Sequence, residues 1–503
     1  MRSLVLCVMS AGLAAPLLCN AALPSRLVLL LDGVSYSDVR ALQEGVVFKT
    51  AGGRQAERQA FQQGYFPATR LISTFPSISD TAWAEILGND PPPGYQRTYF
   101  SAAEGSVVSL NGVTGLMDYE KQMSWHLQGN FRRTMSYSAP RRTFKYEVNQ
   151  VIEGFLQSSG EATNYYYALI NGTDIAQHSW GDIRSMLCVL DEKLEKLRAT
   201  YRAREGRELE ILILSDHGND GAGRGKRIAI KGFLKKHGYR VAKSLSSPKD
   251  VVLPTAGIES WVEIHNRPSE TRNLVQLLSH LKGVDLVTAR HPERTNRFIV
   301  LNSKGEQAGI EWKADGNSFK YEMESGDPLD LKGVVSTLAS KGAFDAYGFA
   351  AADAWMEQTL DHRYPLALER IVRGHTRIAQ NPAPILLSLQ NAYVHSGWLL
   401  KRSLDFAKSG GTHGALDNAS STGVLLSNFL PTEDTSSRRV AALFDGFKGR
   451  RDDRLEASGA EWAWRKNQRF PGKVRIAGTS RTLNLAAGRN RTGQMHEPEG
   501  TTR

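Results

Sequence analysis

Four stretches of this chain are apolar almost without interruption, and each has the length of a strand. They are RLVLLLDGV (Arg26–Val34), YYYALINGTD (Tyr165–Asp174), LEILILSDHG (Leu209–Gly218) and PAPILLSLQN (Pro382–Asn391). Strands with one wet face alternate in polarity, whereas strands covered on both faces of a parallel sheet do not. Apolar residues recur at helical spacing between them, over Asp80–Leu87, Phe144–Leu156, Ile183–Tyr201 and Leu366–Ile378. Buried strands alternating with amphipathic helices predict an α/β domain: a mainly parallel sheet sandwiched by helices. The texture changes between Asn219 and Asp345. There IAIKGFLKKHGY reads as a helix, SWVEIHN and RFIVLNS as short strands, and GIEWKADGNSFKYEM as an antiparallel hairpin. Residues 219–345 are therefore expected to form an inserted α+β subdomain that divides the α/β domain into 23–218 and 346–444.

Composition limits the function classes. With 41% hydrophobic and 23% charged residues, the 503-residue chain is globular rather than disordered. Its net charge of +11 invites a nucleic-acid reading. From Arg438 to Arg503, however, there are 15 Lys/Arg and 7 Asp/Glu, a net of +8. Most of the excess thus sits toward the C-terminus, and the basic tail 445–503, rich in Gly, Arg, Ser and Thr without periodicity, is expected to be flexible. No basic stripe interleaved with aromatics marks the body, so no specific nucleic-acid partner is expected.

The N-terminus reads MRSLVLCVMSAGLAAPLLCNAALPSR. Arg2, an apolar run from Leu4 to Leu18, and small residues at Ala21 and Ala22 make the three-part pattern of a secretory signal peptide over residues 1–22. A spanning helix needs ~20 apolar residues, and Ser10 and Pro16 interrupt this run. Export to a periplasm or the exterior, without stable membrane insertion, is the expectation. Cys7 and Cys19 would leave with the signal. Cys188, among Leu187, Leu190, Leu194 and Leu197 at helical spacing, is expected to be a packed core thiol.

Ligands of open α/β sheets bind outside the carboxyl ends of the strands. The first strand brings Asp32 there, the second Asp174 with His178, and the third Asp216 with His217. GGTHG adds His413. Three carboxylates and three histidines are the complement for two divalent ions with mixed N/O ligands, zinc above all. Two such ions can clamp the attacking and leaving oxygens of a phosphoryl displacement. STFPSISDTAWAEILG (Ser73–Gly88) supplies hydroxyls just before a helix, where free backbone N–H groups favour an anion. Ser77, Ser79 and Thr81 all qualify as nucleophiles, and Ser77 with Asp80 also makes a capping box.

LLLDG, FPSIS, TDIAQH, SDHG and GTHG, in that order, resemble the alkaline phosphatase superfamily, in its nucleotide pyrophosphatase/phosphodiesterase-like branch. The resemblance runs from about Arg26 to Phe429 and implies an alkaline-phosphatase-like fold with two zinc ions and a covalently phosphorylated Ser or Thr. It implies one metal at Asp174, His178 and His413, and another at Asp32, Asp216 and His217 with Ser79 facing it. Ser79 is singled out because it ends a Pro-Ser-x-Thr-like motif, here Pro76-Ser77-Ile78-Ser79.

The chain also departs from the branch. Serine replaces threonine, and Thr81-Ala82-Trp83 replaces Pro-Asn-His, which leaves Ser77 and Thr81 as alternatives. Where the branch has a phosphoryl-binding asparagine, GYQRTYF offers Arg97 or Thr98. Arg97 could clamp a monoester phosphate bidentately. The sulfatase signature Cys-x-Pro-x-Arg is absent. The implied activity is hydrolysis of a small phosphorylated substrate, a phosphodiester, nucleotide pyrophosphate or phosphomonoester. Rival readings are a phosphonate hydrolase or phospho-group transferase using the same site, or a non-catalytic metal-binding envelope protein.

Overall fold

The computed structural model describes residues 22–442 except 50–54, 111–115, 128–138, 161–163, 181–182, 222–225, 256, 314–315 and 397–409. The signal peptide read at 1–22, but for its last residue, and the tail at 445–503 lie outside the described residues.

The main sheet has seven strands. In chain order they are β1 (Arg26–Leu31), β2 (Thr69–Ile72), β3 (Trp125–His126), β4 (Tyr165–Ile170), β5 (Glu210–Leu214), β6 (Thr422–Ser427) and β7 (Thr435–Ser436), and across the sheet they lie β7-β2-β6-β5-β1-β4-β3. The central β1 is parallel to both β4 and β5, while β6 runs antiparallel to β5 and β2. All six residues of β1 are buried. One face, with Leu27, Leu29 and Leu31, packs under the helices α2 (Pro140–Gln157) and α4 (Arg184–Glu205). The other, with Val28 and Leu30, meets Trp83 and Ile86 of α1 (Ser79–Ile86). Cover on both faces is the physical cause of the unbroken apolar runs. Cys188 is buried in the first of these cores.

A second, nine-stranded sheet is built mostly from residues between 240 and 351. The hairpin read in GIEWKADGNSFKYEM is present as Gln307–Trp312 against Ser318–Ser325. The run in PAPILLSLQN is a correction to the sequence reading. Its strand, Ile385–Leu389, is not in the main sheet. It sits inside the second sheet, antiparallel to Trp261–Asn266 and Val284–Arg290. Leu386 faces one apolar cluster, and Ile385 and Leu387 the other. An antiparallel strand covered on both faces is as continuously apolar as a parallel one, so hydrophobicity alone could not assign it to a sheet.

Candidate active site

The carboxyl ends of β1, β4 and β5 lie side by side in register, so the residues just beyond them meet. β1 ends before Asp32, β5 before Asp216 and His217, and β4 before the helix α3 (Gly172–Trp180), whose first turn holds Asp174 and whose last holds His178. Asp32, Asp216 and His217 come together as one trio, and Asp174, His178 and His413 as another. In each trio the candidate ligand atoms lie within 4.8 Å of one another.

The backbone around the trios is specialised for closeness. Gly33 has a φ of +71°, and a Cβ there would lie 2.9 Å from Asp174 Oδ1. Its N–H donates to Asp216 Oδ1 at 3.0 Å. Asn171 Nδ2 donates to Asp32 Oδ2 at 2.7 Å. The buried Glu147 carboxylate of α2 accepts the backbone N–H groups of Asn171 and Gly172, fixing the start of α3. The SDHG and GTHG loops are tied by Asp220, whose N–H donates to Thr412 O at 2.9 Å and whose Oδ1 accepts from Thr412 N at 2.8 Å.

All three histidines are oriented alike. The Nδ1–H of His178 donates to Gly411 O, that of His217 to Gly218 O, and that of His413 to Ser77 O, at 3.2, 2.9 and 2.9 Å. A carbonyl can only accept, so Nδ1 holds a proton in each ring and, in the neutral form, Nε2 is the nitrogen left to ligate a metal. These Nε2 atoms face carboxylates at 3.3–3.6 Å. Asp174 Oδ1 and Asp216 Oδ2 are buried with no hydrogen-bond partner.

Electrostatics make the cluster costly without a cation. Burial, then the charge of Asp174, pushes Asp32 up to about 7. Burial and Asp32 raise Asp216 well above the usual carboxylate range. Burial and His413 hold His217 well below its ordinary value, and burial also lowers His413. Asp174 is the exception. Burial opposes its charge, but His178 and His413 beside it hold its carboxyl low, and Asp174 in turn lifts His178 to about 9 against the opposing effect of burial. The buried Asp32 and Asp216, the partly buried Asp174, two orphaned oxygens and three oriented rings fit divalent cations as their missing partners.

The three candidate hydroxyls separate clearly. Ser79 Oγ donates to Asp32 Oδ1 at 3.0 Å and lies 3.3 Å from His217 Nε2. Ser77 points away, its hydroxyl donating toward Thr74 O and Ala415 O at 3.0 and 3.1 Å. Thr81 bonds Ile78 O at 3.3 Å. The expected Ser77–Asp80 capping box is absent: α1 begins at Ser79 with Ile78 at its N-cap and no side-chain cap. Ser77 is held by Ala415 and by Arg370, which also binds Thr74 O and Leu416 O. Arg97 is ion-paired to the buried Glu120 at 2.7 Å. Beside it, the Tyr119 hydroxyl donates to Asp80.

Sequence reasoning missed the supporting groups Asn171, Glu147, Asp220 and Arg370. Asn171 and Asp220 flank the ligand motifs and could have been suspected from that. Glu147 and Arg370 lie on helices remote in sequence and carry no local signal.

Residues 91–317 match the family model for type I phosphodiesterase / nucleotide pyrophosphatase. That span holds Asp174, His178, Asp216 and His217, and leaves out Asp32, Ser79 and His413. Among solved structures the chain is similar to human ectonucleotide pyrophosphatase / phosphodiesterase 5, with 13% identity and a TM-score of 0.43, over 84% of this chain and 94% of that one. No curated protein matches the chain. The family match over residues 91–317 supports the resemblance to the nucleotide pyrophosphatase/phosphodiesterase branch of the alkaline phosphatase superfamily, and with it a hydrolase of phosphoric esters.

Proposed function

We propose that this protein is an exported phosphodiesterase working through a covalent phosphoseryl intermediate on Ser79. Two zinc ions would be held by Asp32, Asp216 and His217 and by Asp174, His178 and His413. The observation that carries the reading is the position of Ser79 Oγ, 3.0 Å from Asp32 and 3.3 Å from His217 at the start of α1. Bound divalent cations would lower the pKa of a hydroxyl and neutralise charge on a departing oxygen.

The chain's own groups do the rest. Asp32 orients Ser79 Oγ through its hydrogen bond and takes the hydroxyl proton as Oγ attacks phosphorus in line. The Oγ–P bond forms, the bond to the leaving alcohol breaks, and that oxygen departs on the side of Asp174, His178 and His413. Water then gives a proton to the departed alkoxide and attacks phosphorus as hydroxide from the vacated side, the P–Oγ bond breaks, and Ser79 Oγ takes its proton back from Asp32. Arg97 is paired with Glu120, which offsets its charge. A doubly charged monoester gains little from it, so a singly charged diester suits the site better. The N-terminal pattern supports export, and residues 219–345 would shape the substrate pocket. No helix among the described residues is long and apolar enough to cross a membrane.

The test is a paired rate assay with zinc on bis-p-nitrophenyl phosphate and p-nitrophenyl phosphate, repeated with Ser79→Ala. Diester preference lost in the variant is expected. Monoester preference, or full activity of the variant, would overturn the reading.

A further inference from the structure

Glu259 is a carboxylate that neither the strand ends nor the two trios account for. It ends the short strand Ile258–Glu259, paired with Tyr393–Ser396. That strand is riveted to the loop bearing His413. The N–H and Oγ of the next residue, Ser260, both donate to His413 O at 2.8 Å, and Thr412 Oγ1 donates to Ile258 O at 3.2 Å. The Glu259 side chain is fixed from two sides, its oxygens accepting from Gln96 Nε2 and Trp261 Nε1. Trp261 packs edge-on against Tyr95, the neighbour of Gln96, with ring centroids 5.4 Å apart. Among the described residues, no lysine or arginine forms an ion pair with Glu259. The charged groups in whose field it sits include His178, Asp174 and Asp80.

We propose that Glu259, held by Gln96 and Trp261, reads the leaving group. Its carboxylate would favour diesters whose departing alcohol carries a cation or hydroxyl donors and disfavour those whose departing group is anionic. The proposal rests on the reading above, in which the leaving oxygen departs beside Asp174, His178 and His413. Burial pushes Glu259 up to about 7, and Gln96 and Trp261 orient its oxygens without bringing a cation, so above that pH the carboxylate presents a negative charge that discriminates leaving groups by sign. Among phosphodiesters this places amino-alcohol and polyol esters ahead of substrates that release a phosphate or diphosphate.

The experiment uses three methyl aryl phosphodiesters on the zinc-loaded full chain. Their departing phenols carry a trimethylammonium, a nitro or a carboxylate group at the meta position. Comparing Glu259→Gln with the wild type on each ester cancels intrinsic leaving-group reactivity. The ratio of kcat/KM for the cationic over the anionic ester should fall by roughly tenfold or more in the variant. Bound zinc should be retained. Dissociation constants of the matching phosphonates, with CH2 in place of the bridging oxygen to the aryl group, should shift in the same sense by calorimetry. Glu259→Asp, which keeps the charge, should keep the sign of the preference. An unchanged ratio in Glu259→Gln overturns the proposal while leaving the hydrolase reading intact. Loss of zinc from Glu259→Gln also overturns it, because Glu259 would then be a ligand rather than a reader. Failure of the wild type to hydrolyse the nitro diester overturns both.

Discussion

His217 and His413 stack face to face, their ring centroids 3.8 Å apart and their planes 13° from parallel, although each belongs to a different trio. The stack joins the two trios into one buried cluster, with Ser79 at its edge. Neutral imidazoles tolerate such a contact and imidazolium pairs do not, which agrees with the lowered basicity of both rings.

Asp32→Asn should reveal the strain of the cation-free cluster. Asp32 is raised to about 7 in the folded protein, against 3.8 as its ordinary value. Between those values the folded state keeps a proton that the unfolded chain releases, so the wild type loses stability as pH rises through this window. The variant lacks that loss. In the presence of chelator, its stability relative to wild type should climb by up to about 1.4 kcal/mol per pH unit across the window. Urea denaturation at pH 4 and pH 8 measures this, and added zinc should reverse the ranking at pH 8.

Glu147→Ala removes the acceptor for Asn171 and Gly172 N–H. Orphaned donors at the start of α3 should cost roughly 1–3 kcal/mol. Because α3 carries Asp174 and His178, zinc affinity at one of the two sites should also fall, on the order of 10–100-fold. Titration with a competing chelator would show one weakened site and one unchanged.

Arg370→Lys keeps a charge but loses the planar fork that binds Thr74 O, Pro365 O, Leu416 O and Ser77 Oγ. Those acceptors sit behind the Ser79 and His413 loops. A destabilisation of about 2–4 kcal/mol is expected, with slower turnover in the surviving folded fraction. Equal activity per folded molecule would show that the fork holds the fold but not the nucleophile.

Arg97→Ala should leave diester turnover within about threefold of wild type, because Glu120 already offsets the guanidinium. A selective loss of monoester turnover, read as the ratio of the two rates, would restore Arg97 as a phosphate clamp.

The clustering of the candidate ligands was legible because strand exits are local. Asp32, Asp174, Asp216 and His217 each follow an apolar run, and parallel pairing forces those ends together. His413 was legible from its GTHG motif, while the apolar run before it, Ile385–Leu389, belongs to the other sheet. The sheet membership of Ile385–Leu389 depends on partners that its own apolar residues do not name. Ser77 read as a cap because its spacing from Asp80 is right. In the fold its hydroxyl is captured by Ala415 and Arg370, contacts more than 290 residues away in sequence. Glu147 and Glu259 were silent for the same reason: each acts on the site through a partner made only by tertiary packing.

The central claim is the phosphoseryl intermediate at Ser79. The direct measurement is acid quenching of the zinc-loaded protein during turnover of bis-p-nitrophenyl phosphate, followed by peptide mass spectrometry. The expected result is a p-nitrophenyl phosphate adduct on Ser79, absent from Ser79→Ala. A modified Ser77 or Thr81, or full turnover by Ser79→Ala with no adduct anywhere, would contradict the account.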